Sequence, residues 1–97
     1  MIVAARIARA AGAELRRLRL AAGLSQTQVA FHCDSYRSII GRIERGVHCP
    51  TLQVCELFAA VCGGSLRDVL GAVDRALGLR LRRARARAVG RGVVALN

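Results

Sequence analysis

The feature that most limits what this chain can fold into is its punctuation. Three times an apolar stripe of helical spacing runs into glycine, and a hydroxyl residue soon opens the next stripe: Gly23 before Ser25, Gly46 before Thr51, Gly63-Gly64 before Ser65. Glycine suits the position just past a helix end, and a serine or threonine oxygen accepts a free N–H of the first turn. The stripes themselves are Ile7, Ala11, Leu15, Leu18 and Ala22; Val29, Ala30 and Cys33; Ile39, Ile40 and Ile43; Leu52, Cys55, Phe58, Ala59 and Cys62; and Leu66, Val69 and Leu70. Each recurs at three- and four-residue steps, the spacing of one helix face. Ser25 with Gln28 three residues on forms a capping-box pattern, and Asp34-Ser35 interrupts the second stripe from the third. Alanine, leucine and arginine dominate, and the aromatics are Phe31, Tyr36 and Phe58 only. The fold class is therefore all-α: five short helices with brief joints.

Charge narrows the partners. The 97 residues carry 16 basic and 6 acidic side chains, net +10, and every basic one is arginine. Residues 1–46 are net +5, residues 47–74 net −2 and residues 75–97 net +7, the last with no acid at all. A near-neutral packing segment thus separates two basic ones, which points to a polyanionic partner. A chain this short buries one small core and encloses no deep cleft. It shows no Ser/His/Asp arrangement, no paired carboxylates and no phosphate-cradling glycine loop, so it is not read as an enzyme and no cofactor is expected. Its apolar runs fall far short of the roughly 20 residues needed to span a bilayer, so no membrane partner is expected. Arg6 and Arg9 break the stretch a signal peptide would need. The expected setting is cytoplasmic, with reduced thiols.

The stretch LSQTQVAFHCDSYRSIIGRIERG, Leu24 to Gly46, is preceded by GAELRRLRLAAG and followed by VHCPTLQVCELFAAVCGGSLRDVL. It resembles the helix-turn-helix of the Cro/C1 repressor family, also called the Xre family, without a gap from Gly12 to Leu70. The Leu-Ser-Gln start, the Ile-Glu-Arg-Gly end and the Pro-Thr-Leu opening of helix four carry the resemblance together. It implies a five-helix Cro/C1 repressor-like DNA-binding domain over 12–70. An N-terminal helical extension over 1–11 and an Arg-rich C-terminal extension over 71–97 flank it.

The resemblance also implies roles. Ser25 and Gln26 open the first helix of the unit, where free N–H groups favour a phosphate; Gln26 grips the DNA backbone and braces the recognition helix. That helix runs from about Tyr36 to Arg45 and puts its first turn in the major groove. Ile39, Ile40 and Ile43 define its inner side, so Arg37, Ser38 and Arg42 lie on the other, with Tyr36 at the tip and Arg45 at the far end. The family's base-reading positions match Arg37, Ser38 and Arg42. An arginine fork fits guanine O6 and N7, so a G-containing half-site is expected. Arg19 and Glu44 are implied to form a buried ion pair tying helix one to the recognition helix. Three positions depart from the pattern. Asp34 replaces a turn glycine. Gly41 sits inside the recognition helix at a cost of about 1 kcal/mol against alanine and invites a close backbone approach to DNA. Tyr36 stands where a small cap is common, with Ser35 as the alternative cap one residue earlier.

Among His32, Cys33, His48, Cys49, Cys55 and Cys62, no spacing is of the CxxC or HxxxH type, so no metal is expected. Cys33, Cys55 and Cys62 fall on apolar stripes and read as core; Cys49 reads as exposed. Beyond residue 70, Val73, Leu77, Leu81, Ala84 and Ala88 continue the fifth stripe toward Val89. Gly90 and Gly92 are expected to end it before the apolar Val93-Val94-Ala95-Leu96. This extension could form a dimer helix, a basic arm along DNA or a solubilising end. The resulting expectation is a sequence-specific double-stranded DNA-binding regulator, a homodimeric repressor on an inverted-repeat operator. An autoregulating antitoxin whose residues 71–97 cover a protein partner stays open, as does an RNA- or membrane-surface-binding module driven by the Arg-rich tail.

Overall fold

The computed structural model describes residues 2–90. Five α-helices account for the regular structure among them: α1 (Ile2–Ala21), α2 (Gln26–His32), α3 (Arg37–Glu44), α4 (Leu52–Val61) and α5 (Leu66–Gly90). Gly92 and the apolar Val93–Leu96 segment lie outside the described residues.

The helix starts show which capping expectations hold. At α2 the Ser25 Oγ accepts from the Gln28 N–H at 3.0 Å while Gln28 Oε1 accepts from the Ser25 N–H at 2.8 Å, the reciprocal pair of a capping box. At α4 the Thr51 Oγ1 accepts from the Val54 N–H at 3.2 Å. The start of α5 works differently. Asp68 Oδ2 takes the Ser65 N–H at 2.8 Å, and Glu56 Oε1, from α4, takes the Leu66 N–H at 3.2 Å. Two carboxylates stand where one hydroxyl cap was expected, a choice the positive end of the helix dipole favours. Tyr36, not Ser35, is the N-cap of α3, and its side chain makes no capping bond. Asp34 takes a left-handed φ of 52°, which a short polar side chain tolerates better than a bulky one.

Phe58, Leu15, Ile40, Ile43, Val29 and Val69 are fully buried at the centre, so every helix contributes to one core. Cys55 and Cys62 are buried with them and Cys33 packs against them half-buried, while Cys49 is exposed. Burial pushes all three interior thiols above the usual cysteine range, which disfavours the thiolate form. Among the described residues no cluster of His, Cys, Asp and Glu is placed to hold a metal ion. The apolar stripes overshoot the core at three points. Ala22 lies exposed at the end of α1, and Leu52 is 66% exposed in the first turn of α4. Leu70 is 49% exposed beside an open groove shared with Glu56, Leu66 and Arg67. Helical spacing marks a face, but how far along it a neighbour reaches depends on the other helices.

The long helices α1 and α5 pack antiparallel. Leu18, near the end of α1, abuts Gly64 just before α5, and Ala10 and Ala13 lie by Ala76 further along. Both helices run unbroken through the expected boundaries at 11/12 and 70/71. Leu77 is buried, so at least the first turns of the C-terminal extension belong to the packed domain. No helix among the described residues is long and apolar enough to cross a membrane.

Candidate nucleic-acid interface

The α2–turn–α3 unit is held from within by a polar network at the end of α3. Glu44, with 2% of its side chain exposed, receives Arg19 through two bonds, Nε to Oε2 at 2.6 Å and Nη2 to Oε1 at 2.9 Å. A bidentate fork of this kind fixes direction as well as distance. The third arm of the same guanidinium, Nη1, donates to the Leu24 carbonyl at 2.9 Å, which ties the joint before α2 to both helices. Hydrogen bonding to Glu44 raises the Arg19 pKa above the ordinary arginine value, so the guanidinium keeps its charge at every working pH. Gln26 completes the network by donating from Nε2 to Glu44 Oε1 at 3.1 Å. A carboxylate accepts only, so it fixes the amide orientation and leaves the second N–H of that amide free to donate.

Close backbone contact adds to this hold. A Cβ on Gly12 would stand 2.0 Å from the Ile43 carbonyl oxygen and 3.3 Å from Glu44 Cα, so α1 crosses the end of α3 with nothing between them. Gly41 is a different case. It is buried beneath Gln26 and Arg45, whose atoms would lie 3.7 Å and 3.2 Å from a Cβ placed there. Gly41 therefore lies under these two side chains, where the helix backbone is covered rather than open at the outer face.

With Ile40 and Ile43 fully buried and Ile39 partly so, the outer side of α3 is left to the polar residues. Arg37, Ser38, Arg42 and Arg45 are all exposed, and Tyr36 stands 77% exposed at the tip. Arg37, Arg42 and Arg45 enter no ion pair among the described residues. Ser25 is exposed at the start of α2 and Gln26 half-buried beside it, hydrogen-bonded to α3 through Glu44. Reading the sequence missed Gly12 as the crossing point and Leu24 as a partner of Arg19. Neither has a local signal, because both matter only once α1 lies across α3. A second exposed aromatic, Phe31, sits 79% exposed at the end of α2 with its ring edge on His32.

A family model described as a helix-turn-helix domain matches residues 10–70. Over 60 residues the chain is 35% identical to control protein C.BamHI of Bacillus amyloliquefaciens, a match that covers 61% of this chain and 74% of that one. Among solved structures, the clp gene regulator ClgR of Corynebacterium glutamicum is similar with a TM-score of 0.68 over 86% of this chain and 88% of that one. At 22% identity that likeness supports the fold. The chain belongs to the helix-turn-helix family of DNA-binding transcription regulators, of the Cro/C1 (Xre) type.

Proposed function

We propose that this regulator is a repressor that binds double-stranded DNA sequence-specifically, as a homodimer on an inverted repeat, in the cytoplasm. The observation that carries this reading is the outer face of α3, where unpaired arginines stand exposed on a helix locked from beneath by Glu44, Arg19 and Gln26. A rigid helix with free guanidinium forks is suited to paired acceptors on guanine. In this reading Arg37, Ser38 and Arg42 contact base edges in the major groove. The Ser25 hydroxyl, the free N–H of the Gln26 amide, Arg45 and Tyr36 contact the backbone around them. Two-fold pairing sets the half-sites about one helical turn apart.

Selection of bound fragments from random duplex DNA tests specificity and half-site spacing together. On the selected site, Arg37→Ala is expected to cost about 1–3 kcal/mol and to relax discrimination at one base position. Equal weakening on random DNA makes Arg37 a phosphate contact instead.

A second reading rests on the outer part of α5, where Arg82, Arg85 and Arg87 are exposed. If these arginines, and not α3, hold nucleic acid, replacing the three with glutamine abolishes binding to any duplex. If α3 carries it, the same variant keeps its preference for the selected site and loses only affinity. Truncation near residue 72 is a poor substitute, because it strips Leu77 from the core.

A further inference from the structure

The first turns of α1 lie outside the matched family region and carry two arginines, Arg6 and Arg9. Both are exposed, and neither enters an ion pair among the described residues. Their place in the fold is set by Gly46, the residue after the Arg45 cap of α3. A Cβ on Gly46 would lie 2.8 Å from Arg9 Cα and 3.2 Å from Arg9 Cβ, and Gly46 takes a φ of +77° to make the turn there. The start of α1 is thus pressed against the exit of the recognition helix, and the Arg9 side chain leaves from that junction. Arg6, one turn earlier, flanks with Arg9 a shallow groove of about 270 Å³ floored by Ala10, Ala13 and Ala76. Small side chains on that floor offer nothing to compete for the guanidinium groups. Arg42 and Arg45 near the end of α3, and Val47 and His48 just after Gly46, are exposed as well, so the chain around the junction leaves it open to solvent.

We infer that Arg6 and Arg9 form a second phosphate-binding site, which holds the DNA backbone flanking the half-site past the C-terminal end of α3. This rests on the reading that α3 docks on DNA. The site adds affinity and footprint without reading sequence, because arginine on a phosphate carries no base information. It also gives the extra length of α1 a use that core packing does not, since Arg6 and Arg9 point away from the buried Ala8 and Ala11.

The test is the salt dependence of binding by the full chain, measured by fluorescence anisotropy on the selected duplex and on random duplex from about 50 to about 200 mM salt. Each phosphate contact contributes about 0.9 to the slope of log affinity against log salt. Arg6→Gln and Arg9→Gln are each expected to flatten the slope by that amount. The double variant then loses about twelvefold less affinity than the parent over this range, equally on both duplexes. Both positions are exposed, so the helical circular dichroism and melting temperature stay as in the parent. An unchanged slope in the double variant overturns this site while leaving the α3 reading intact. A change on the selected duplex alone overturns it too, because it marks base contact. A parent chain that binds neither duplex overturns both readings.

Discussion

Glu44→Ala lowers stability by about 3–5 kcal/mol, the cost of stranding one partner of a buried ion pair. The carboxylate accepts three bonds, two from Arg19 and one from Gln26, and the Arg19 side chain is only 10% exposed. Without Glu44 the guanidinium keeps its charge and its bond to the Leu24 carbonyl but has no counter-ion. Small domains hold about 5–15 kcal/mol in all, so this one change removes much of the total. At about 4–8 °C per kcal/mol for a domain of this size, thermal melts followed by circular dichroism should show a fall of more than about 12 °C. The charge swap Arg19→Glu with Glu44→Arg tests the pairing itself. It should melt above either single reversal, because Gln26 can turn its amide and offer oxygen to the new arginine. No recovery in the double variant would show that the two residues act independently.

Gly12→Ala is the second large effect, and no change of charge is involved. The new methyl meets the Ile43 carbonyl oxygen at 2.0 Å, and backbone inside a packed helix cannot swing aside as a side-chain tip can. Relief requires α1 and α3 to separate, which strains the Arg19 fork beside them. Overpacking of this kind costs about 1–3 kcal/mol and at times more, and backbone as the obstacle puts this case at the upper end. The same substitution at Gly41 meets only the tip of Arg45 at 3.2 Å and the Gln26 amide at ordinary contact. There the gain in helix propensity, up to about 1 kcal/mol, should raise the melting temperature. Urea titrations of the two variants side by side should give midpoints shifted in opposite directions.

These two glycines show where sequence stops informing. Both sit inside helices, both look like weak points, and nothing beside either says which one a neighbouring backbone will touch. The crossing of α1 over α3 joins residues about 30 apart, and no local pattern encodes it. Local chemistry was legible. The Ser25–Gln28 box and the Thr51 cap formed as their spacing suggests, and Gly23, Gly46 and Gly63 took the positive φ that ends a helix. The Arg19–Glu44 pair came from resemblance, since two charges 25 positions apart carry no signal of their own. Leu52 and Leu70 lay on apolar faces yet stayed exposed, and Asp68 and Glu56 took over at the start of α5. In each case the deciding atom belongs to another turn or another helix. The exposure of Arg37, Ser38 and Arg42 was legible for a simple reason: once the isoleucines claim the interior, the positions on the opposite side of the helix face outward.

The unbroken run of α5 from the core to its arginine-rich end has a mechanical consequence. An α-helix is stiff, so whatever clasps the outer end also dictates how the whole helix-turn-helix unit is aimed. Each residue inserted between the two would advance the grip by about 1.5 Å and rotate it by about 100°. Helical phase in this one strut would then set the direction in which the helix-turn-helix faces, with no change to α3 itself.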